Sequence, residues 1–369
     1  MTGRKGLSRR RFLKTTAAGA LAASSIPTII TPRRAEAYEP GDQPHPNISP
    51  LRVVRAQNPR MVNGHQDRTT WQEQERMVAP QPVYDTMDRL AMSLAQEGRA
   101  ADAWKAIFIK PPRKSWSDVV VAIKTNNIAQ QHTRSPVLGK VCHVLTDLLG
   151  ANGQNIHIYD CCHGGGMSRS TPFSGLPAGV HVADQWGGSS VSTNLPAPFR
   201  NGTRQSKCLG PLVRDEVDIL VNVALCKGHG GEFGRFTMTL KNHFGTFEPG
   251  PGHGEGGGAD YVIAINKTPE ILGRMDPRTG KVLFPRQQLC IVDALWASND
   301  GPSGLTQAQP NALLMGTFGP VVDYLGAMRF RKDMMGWGIN EGVARRFLME
   351  FGFRESDLPD GGRIVDALA

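Results

Sequence analysis

The chain has 369 residues, 40 % of them hydrophobic and 20 % charged, ordinary for a soluble globular protein and enough for one large α/β domain or two modest ones. The formal net charge is +9, but residues 1–37 hold eight Lys/Arg against one acid, which leaves about +2 on residues 38–369. The basic character thus belongs to the first segment and gives no argument for nucleic-acid or membrane-surface binding.

That first segment has three parts. Ser8-Arg9-Arg10-Arg11-Phe12-Leu13-Lys14 fits the twin-arginine export motif S-R-R-x-F-L-K. An apolar, Ala/Thr-rich stretch follows over 15–30, and Ala35-Glu36-Ala37 fits an A-x-A cleavage site. Residues 1–37 therefore read as a signal peptide. The expected partner is the Tat translocase, and the expected location is periplasmic or otherwise extracytoplasmic. The apolar stretch is too short and too rich in small residues for a stable membrane span. This route carries folded proteins and is often used where a cofactor is inserted before export.

Residues 38–82, rich in Pro, Asn, Gln and Arg without periodicity, read as an extended N-terminal arm. Residues 83–369 read as the α/β domain. Tyr84, Met87, Leu90, Ala91, Leu94 and Ala95 recur at helical spacing over 83–98. A short strand is expected at 104–109. A stronger one is expected at 118–127, where the run DVVVAIKTNN ends in Lys124 and two asparagines. A helix is expected over 136–149, with Ser135 as its cap before Pro136. Residues 155–159 form the next strand, ending at Asp160-Cys161-Cys162-His163 and three glycines. Strand, helix and strand in succession indicate a mostly parallel sheet flanked by helices.

Residues 168–209 are a long Gly/Pro-rich insertion or lid. The apolar run 217–225 returns to the sheet and leads directly into Cys226-Lys227-Gly228-His229-Gly230-Gly231. Residues 237–243 begin a helix carrying Lys241-Asn242-His243. Residues 247–258 are a flexible glycine segment containing His253 and Glu255. Residues 259–266 fit helix or strand. Strands are expected at 288–295, with Asp293 near the end, and at 312–317. Helices are expected at about 321–331 and 341–351.

No C-x-x-C-H haem motif and no ferredoxin-type cysteine run is present, nor a Walker A loop, a G-x-S-x-G elbow or H-E-x-x-H. Gly228, Gly230, Gly231 and Gly234 do not have G-x-G-x-x-G spacing. Of the six cysteines, Cys142 and Cys290 fall inside elements and suit buried packing. Cys161, Cys162 and Cys226 fall at strand ends, where parallel sheets collect ligands. Cys162, His163 and Cys226 are the candidate metal ligands, although structural thiols or a disulfide with Cys208 fit as well. Lys227, His229 and Lys241 are the candidate catalytic residues. Glycine-rich backbone beside lysines attracts anions, and histidine permits acid/base work near neutral pH. Lys124, Asn126, Asn242 and Asp293 share the strand-end edge and are candidate ligand-binding residues. Asp323, at a helix start, suits N-terminal capping.

In order, VVVAIKTNN (119–127), VDILVNVALCKGHG (217–230), FTMTLKNHFG (236–245), IVDALWASNDGPSG (291–304) and NALLMGTFGPVVD (311–323) resemble the DUF362 family, a domain of unknown function in bacteria and archaea. The element T-x-x-L-K-N-x-x-G, here Thr237 to Gly245, is its most specific part. The resemblance implies an α/β fold and a shared polar set: Lys124, Asn126, Asn222, Lys227, His229, Lys241, Asn242, Asp293 and Asp323. Thr125 stands where the family has Pro, Gly228 where it has Thr, and Gly319-Pro320 where it has Asp-Pro. Some members carry a ferredoxin-type iron–sulfur module, which this chain lacks. Three functions stay open: a redox-associated or metal-dependent enzyme with lysines holding an anionic substrate; a non-catalytic binding or maturation protein that recognises an anionic ligand or cofactor for a periplasmic respiratory partner; and a structural envelope protein.

Overall fold

The structure, a computed structural model, describes residues 45–161, 173–182, 190–200, 204–275 and 282–368. The main sheet has eight strands: β1 (Val53–Gln57), β2 (Val121–Lys124), β3 (Ile156–Tyr159), β4 (His181–Val182), β5 (Ile219–Leu225), β6 (Gln287–Ala294), β7 (Ala312–Gly316) and β8 (Val365–Asp366). Their order is β8-β1-β7-β6-β5-β2-β3-β4. The block from β6 through β5, β2 and β3 to β4 is parallel, and β7 runs antiparallel to both β6 and β1. The mixed, mostly parallel α/β sheet expected from the sequence is the fold. Residues 1–37, expected to be a signal peptide, lie outside the described residues.

Helices cover both faces: α1 (Trp71–Met77), α2 (Pro80–Ala95), α3 (Ala100–Ile107), α4 (Ser135–His143), the single turn α5 (Thr239–Asn242), α6 (Gly258–Asn266), α7 (Gly319–Leu325) and α8 (Glu341–Met349). Strand alternation sorts the core into two layers. Val121, Ile123, Ile158, Val221, Val223 and Ile291 face α2, α3 and α4. Ala122, Tyr159 and Leu220 face the other way, towards α6, and Cys290, Val292 and Leu314 face α6, α7 and α8. With both faces covered, β5 is buried at every position, which is why it reads as a continuous apolar run broken only by Asn222.

Several elements differ from expectation. Residues 45–82 are not simply an extended arm: they contribute β1, paired in full with β7, and α1, which opens with a Thr70/Glu73 capping box. Arg55 and Gln57 dilute the apolar signal of β1, and its partner lies far along the chain, so no local pattern marks it. The strand expected at 104–109 is mostly the end of α3, where Ala103, Trp104 and Ile107 are buried on one helical face. Ser135 is the first residue of α4 instead of its cap; Arg134 holds that position without a side-chain cap bond. Residues 259–266 are helical, in α6. Of the insertion 168–209, described parts supply β4 and a hairpin of Ser190–Asn194 with Gln205–Leu209.

Asp323 caps a helix other than its own. From α7 it reaches the first turn of α5, where Oδ1 accepts from Thr239 N at 2.7 Å and Thr239 Oγ1 at 2.5 Å, and Oδ2 accepts from Leu240 N at 3.0 Å. A single turn cannot hold itself in water, so this carboxyl substitutes for the missing preceding turn. Burial lifts its pKa to about 7, against the pull of the Thr239 and Leu240 donors. Asp323→Ala strands these buried donors and is expected to cost about 2–4 kcal/mol in urea-unfolding free energy. A loss under about 0.5 kcal/mol would show that α5 is held by other contacts.

Candidate functional site

β2 continues to β3 on one side, while β5 lies on its other side, so the crevice between the carboxyl ends of β2 and β5 is a topological switch point. Lys124 and Asn222 are register partners there and share the face of Ala122 and Leu220. α5 lies over this face, and Asn242 is its anchor. Asn242 Nδ2 donates to Asn222 Oδ1 at 2.9 Å and is 3.3 Å from the carbonyls of Lys124 and Val223. Its Oδ1 accepts from Asn126 Nδ2 at 3.3 Å and Lys124 Nζ at 3.5 Å. Asn222 Nδ2 in turn donates to the Thr239 carbonyl at 2.8 Å and to Gln287 Oε1 at 3.1 Å.

The base of the site is a buried ion pair, Lys124 Nζ to Asp160 Oδ1 at 2.6 Å. Asp160 Oδ2 also accepts from Asn127 N at 3.0 Å. Gly245 closes over this pair with φ +122°, and a Cβ there would lie 1.9 Å from the Asp160 carbonyl oxygen and 3.0 Å from Lys124 Cε. The last glycine of T-x-x-L-K-N-x-x-G is thus required by conformation and by space. Gly228 is equally constrained, since a Cβ would meet the Asn299 carbonyl oxygen at 1.8 Å. Thr125, where the family pattern has Pro, donates its N–H to the Tyr159 carbonyl at 2.9 Å, a bond that proline cannot make.

Lys227 and Lys241 sit above this base. Lys227 Nζ is buried and donates to Asn126 Oδ1 at 2.8 Å and the Pro302 carbonyl at 3.0 Å. Lys241 Nζ is half-buried and lies over two ring faces, Phe244 at 4.1 Å and Phe233 at 4.5 Å. Neither lysine makes an ion pair with a carboxylate among the described residues. Burial, with the Lys241 and Lys124 charges, pushes Lys227 down to about 7 despite Asp160. Burial and Lys124 push Lys241 to about 7 despite Glu232. The ring faces favour the Lys241 cation by about 1–2 kcal/mol, a minor offset to desolvation.

His229 stands on the same aromatic wall, edge-on to Phe233 at 4.5 Å and stacked with His253 at 5.7 Å. Burial, then Lys241, His253 and Lys227, hold its pKa at about 3, so the ring is neutral. Gly230 N donates to His229 Nδ1 at 2.8 Å, which leaves the ring proton on Nε2 as a donor. His253, from the glycine segment, packs on Phe233 and Phe244 at 5.3 and 5.4 Å. Gly252 permits this approach, since a Cβ there would lie 2.3 Å from Phe244 Cζ.

The fold therefore brings together Lys124, Asn126, Lys227, His229, Lys241 and Asn242. Asp293 belongs elsewhere. It has the parity of Ile291 and faces α4, where Oδ2 accepts from Arg134 N at 3.1 Å and pairs with Arg134 Nη1 at 3.4 Å. Cys226 is buried in the apolar layer with Phe236 and Met238, its Sγ 3.6 Å from Arg331 Nη1. Burial raises that thiol's pKa. Cys162 and His163 lie outside the described residues. His243 is enclosed, with Nδ1 2.9 Å from Thr246 Oγ1 and Nε2 2.7 Å from Gln287 Oε1.

Sequence reasoning passed over Asp160 as a partner for Lys124, and over Phe233, Phe244 and His132. His132 stacks on Trp71 at 4.3 Å, and burial holds its pKa at about 4, where it senses both Asp160 and Lys227. A signal existed for the phenylalanines: Phe233 lies four residues after His229 and Phe244 three after Lys241.

The lysines set a pH dependence. Their folded pKa values lie below the unfolded value near 10.5, so between pH 7 and 10.5 the unfolded chain binds more protons and stability rises with pH. Unfolding free energy of the free protein is expected to rise from pH 7 to pH 9, on the order of a few kcal/mol, and the Lys227→Met/Lys241→Met double variant to flatten the rise. An identical slope in the double variant would contradict the assignment.

No curated protein and no solved structure matches the chain. A model of the family described as "Domain of unknown function (DUF362)" matches residues 121–328, from β2 past the end of α7. That span is more than half of the chain and holds Lys124, Asp160, Lys227, Lys241, Asn242 and Asp323, so the protein belongs to the DUF362 family.

Proposed function

We propose that the strand-end site binds an anionic ligand, a carboxylate or phosphate, between Lys227 and Lys241. The supporting observation is the charge balance. Of three lysines in one crevice, only Lys124 has a carboxylate partner; Lys227 and Lys241 make no ion pair among the described residues. Natural proteins bury few unpaired cations, because desolvation costs several kcal/mol per charge (about 3–5 when one partner is missing). Such a pair is costly in the free protein and is relieved when an anion supplies the counter-charge. The neutral His229 Nε2–H adds a directed donor that does not compete for the anion's charge. Phe233 and Phe244 keep the local dielectric low, which strengthens each contact.

Anion binding raises the pKa of nearby lysines and so draws protons from solution. Calorimetry with inorganic phosphate and with malonate at pH 8, in two buffers of different ionisation enthalpy, is expected to show uptake approaching about one proton per site. Lys227→Met or Lys241→Met is expected to weaken binding by about tenfold or more. Binding without proton uptake, or indifferent to both lysines, would contradict the proposal.

We also propose export by the Tat route, supported by the motif at 8–14 and the Ala35-Glu36-Ala37 site. Replacing Arg9 and Arg10 by Lys is expected to retain the full-length chain in the cytoplasm in a fractionation assay. Unchanged export would overturn it.

A further inference from the structure

We propose that Lys241 is an imine-forming amine, and that the ligand of this site is a carbonyl compound bearing a carboxylate or phosphate, its anion held by Lys227 and its carbonyl carbon attacked by Lys241 Nζ. The proposal rests on the anion-binding reading and adds a covalent role and a substrate class.

The two lysines are not equivalent. Lys227 Nζ faces two oxygen acceptors, Asn126 Oδ1 at 2.8 Å and the Pro302 carbonyl at 3.0 Å, and these favour the ammonium form. Lys241 Nζ has no hydrogen-bond acceptor among the described residues and faces the rings of Phe233 and Phe244. Burial pushes both towards neutrality, with the Lys241 and Lys124 charges adding to it at Lys227 and the Lys124 charge at Lys241. Lys241, whose amine no oxygen acceptor holds among the described residues, is the member of the pair whose lone pair is free to attack a carbonyl. Lys124 cannot take this role, because its Nζ is already engaged by Asp160 Oδ1 at 2.6 Å at the base of the site. An amine desolvated in an apolar pocket beside other cations is the environment that activates lysine as a nucleophile.

The chemistry balances without an oxidant or reductant. The Nζ lone pair forms a C–N bond to the carbonyl carbon, and the C=O π electrons move to oxygen, which takes a proton from the nitrogen through solvent. The C–O bond of the carbinolamine then breaks. Oxygen leaves as water with the second amine proton, and a C=N bond remains. His229 Nε2–H, on the same Phe233 wall, is placed to hydrogen-bond the carbonyl oxygen and draw electron density from the carbon. Its ring stays neutral, so it polarises without transferring a full charge. The aromatic side chains of Phe233, Phe244 and His253 limit water around the nitrogen and favour the dehydrated product.

The test is reductive trapping on the purified full chain. The protein is treated with pyruvate and sodium cyanoborohydride, and the adduct is located by peptide mass mapping. One adduct on Lys241 is expected, absent from Lys241→Arg and Lys241→Met, with a labelling rate that rises through pH 7. Pyruvate should label Lys241 about tenfold faster than its uncharged ester methyl pyruvate, and Lys227→Met should remove that advantage. No adduct, or adducts spread over exposed lysines and unchanged in Lys241→Met, would overturn the imine. Equal rates for pyruvate and its ester would overturn the role of Lys227. Phosphate calorimetry on the same sample separates the layers. Phosphate binding with proton uptake but no Lys241 adduct leaves the anion site standing and removes the covalent role. Absence of phosphate binding removes the reading on which the imine rests.

Discussion

The carboxamide of Asn242 is the contact on which the site depends. It spans the gap between β2 and β5, meeting the Lys124 and Val223 carbonyls and the Asn222 side chain from one end and Asn126 and Lys124 from the other. The one-turn helix that carries it is too short to persist alone, and Asp323 supplies the cap that a longer helix would not need. Together these bonds fix the Asn242 backbone, and the preceding residue, Lys241, is thereby presented over Phe233 and Phe244. The motif T-x-x-L-K-N-x-x-G can be read physically: a capped turn, a clamp, a displayed amine and a glycine that lets the loop pass over Asp160.

The electrostatics follow from that placement. Lys124 and Asp160 form a closed pair at the base. Lys227 and Lys241 are added above it with no carboxylate ion pair among the described residues, so burial depresses both, helped by the Lys241 and Lys124 charges at Lys227 and by Lys124 at Lys241. Two lysines poised near neutrality and a histidine kept neutral give a site that carries little fixed charge when free. On the proposed reading, it gains charge when an anion arrives. Groups with strongly perturbed pKa values gathered in a crevice at a sheet switch point are the physical basis of the proposed anion site.

Much of this was legible in the sequence, and the failures have specific causes. The run 217–225 announced a doubly covered strand, and the polar residues at its end announced the site; Asn222, earlier in the strand, is tolerated there because its side chain is fully hydrogen-bonded to Thr239, Gln287 and Asn242. Asp293 sits at an equivalent strand end, yet it serves Arg134 on the opposite face. In a strand that is apolar on both sides, composition marks the end but not the face, and one residue of parity decides it. Cys226 was misleading for the same reason: it adjoins Lys227 in sequence, while its thiol lies in the apolar layer beneath Arg331. Asp160 could not be assigned to Lys124 from sequence, because their approach depends on the register of β2 against β3. β1 was illegible for want of any local signal, its partner β7 being more than 250 residues away.

The central claim is that Lys227 and Lys241 are both poised near neutral pH in the free protein. It is tested most directly by following the lysine side-chain Nζ and Cε resonances by NMR from pH 5 to pH 11. Two lysines titrating near pH 7, one lost in Lys227→Met and the other in Lys241→Met, is the expected result. If every lysine titrates above pH 10, the amines are ordinary surface cations and the account of the site fails.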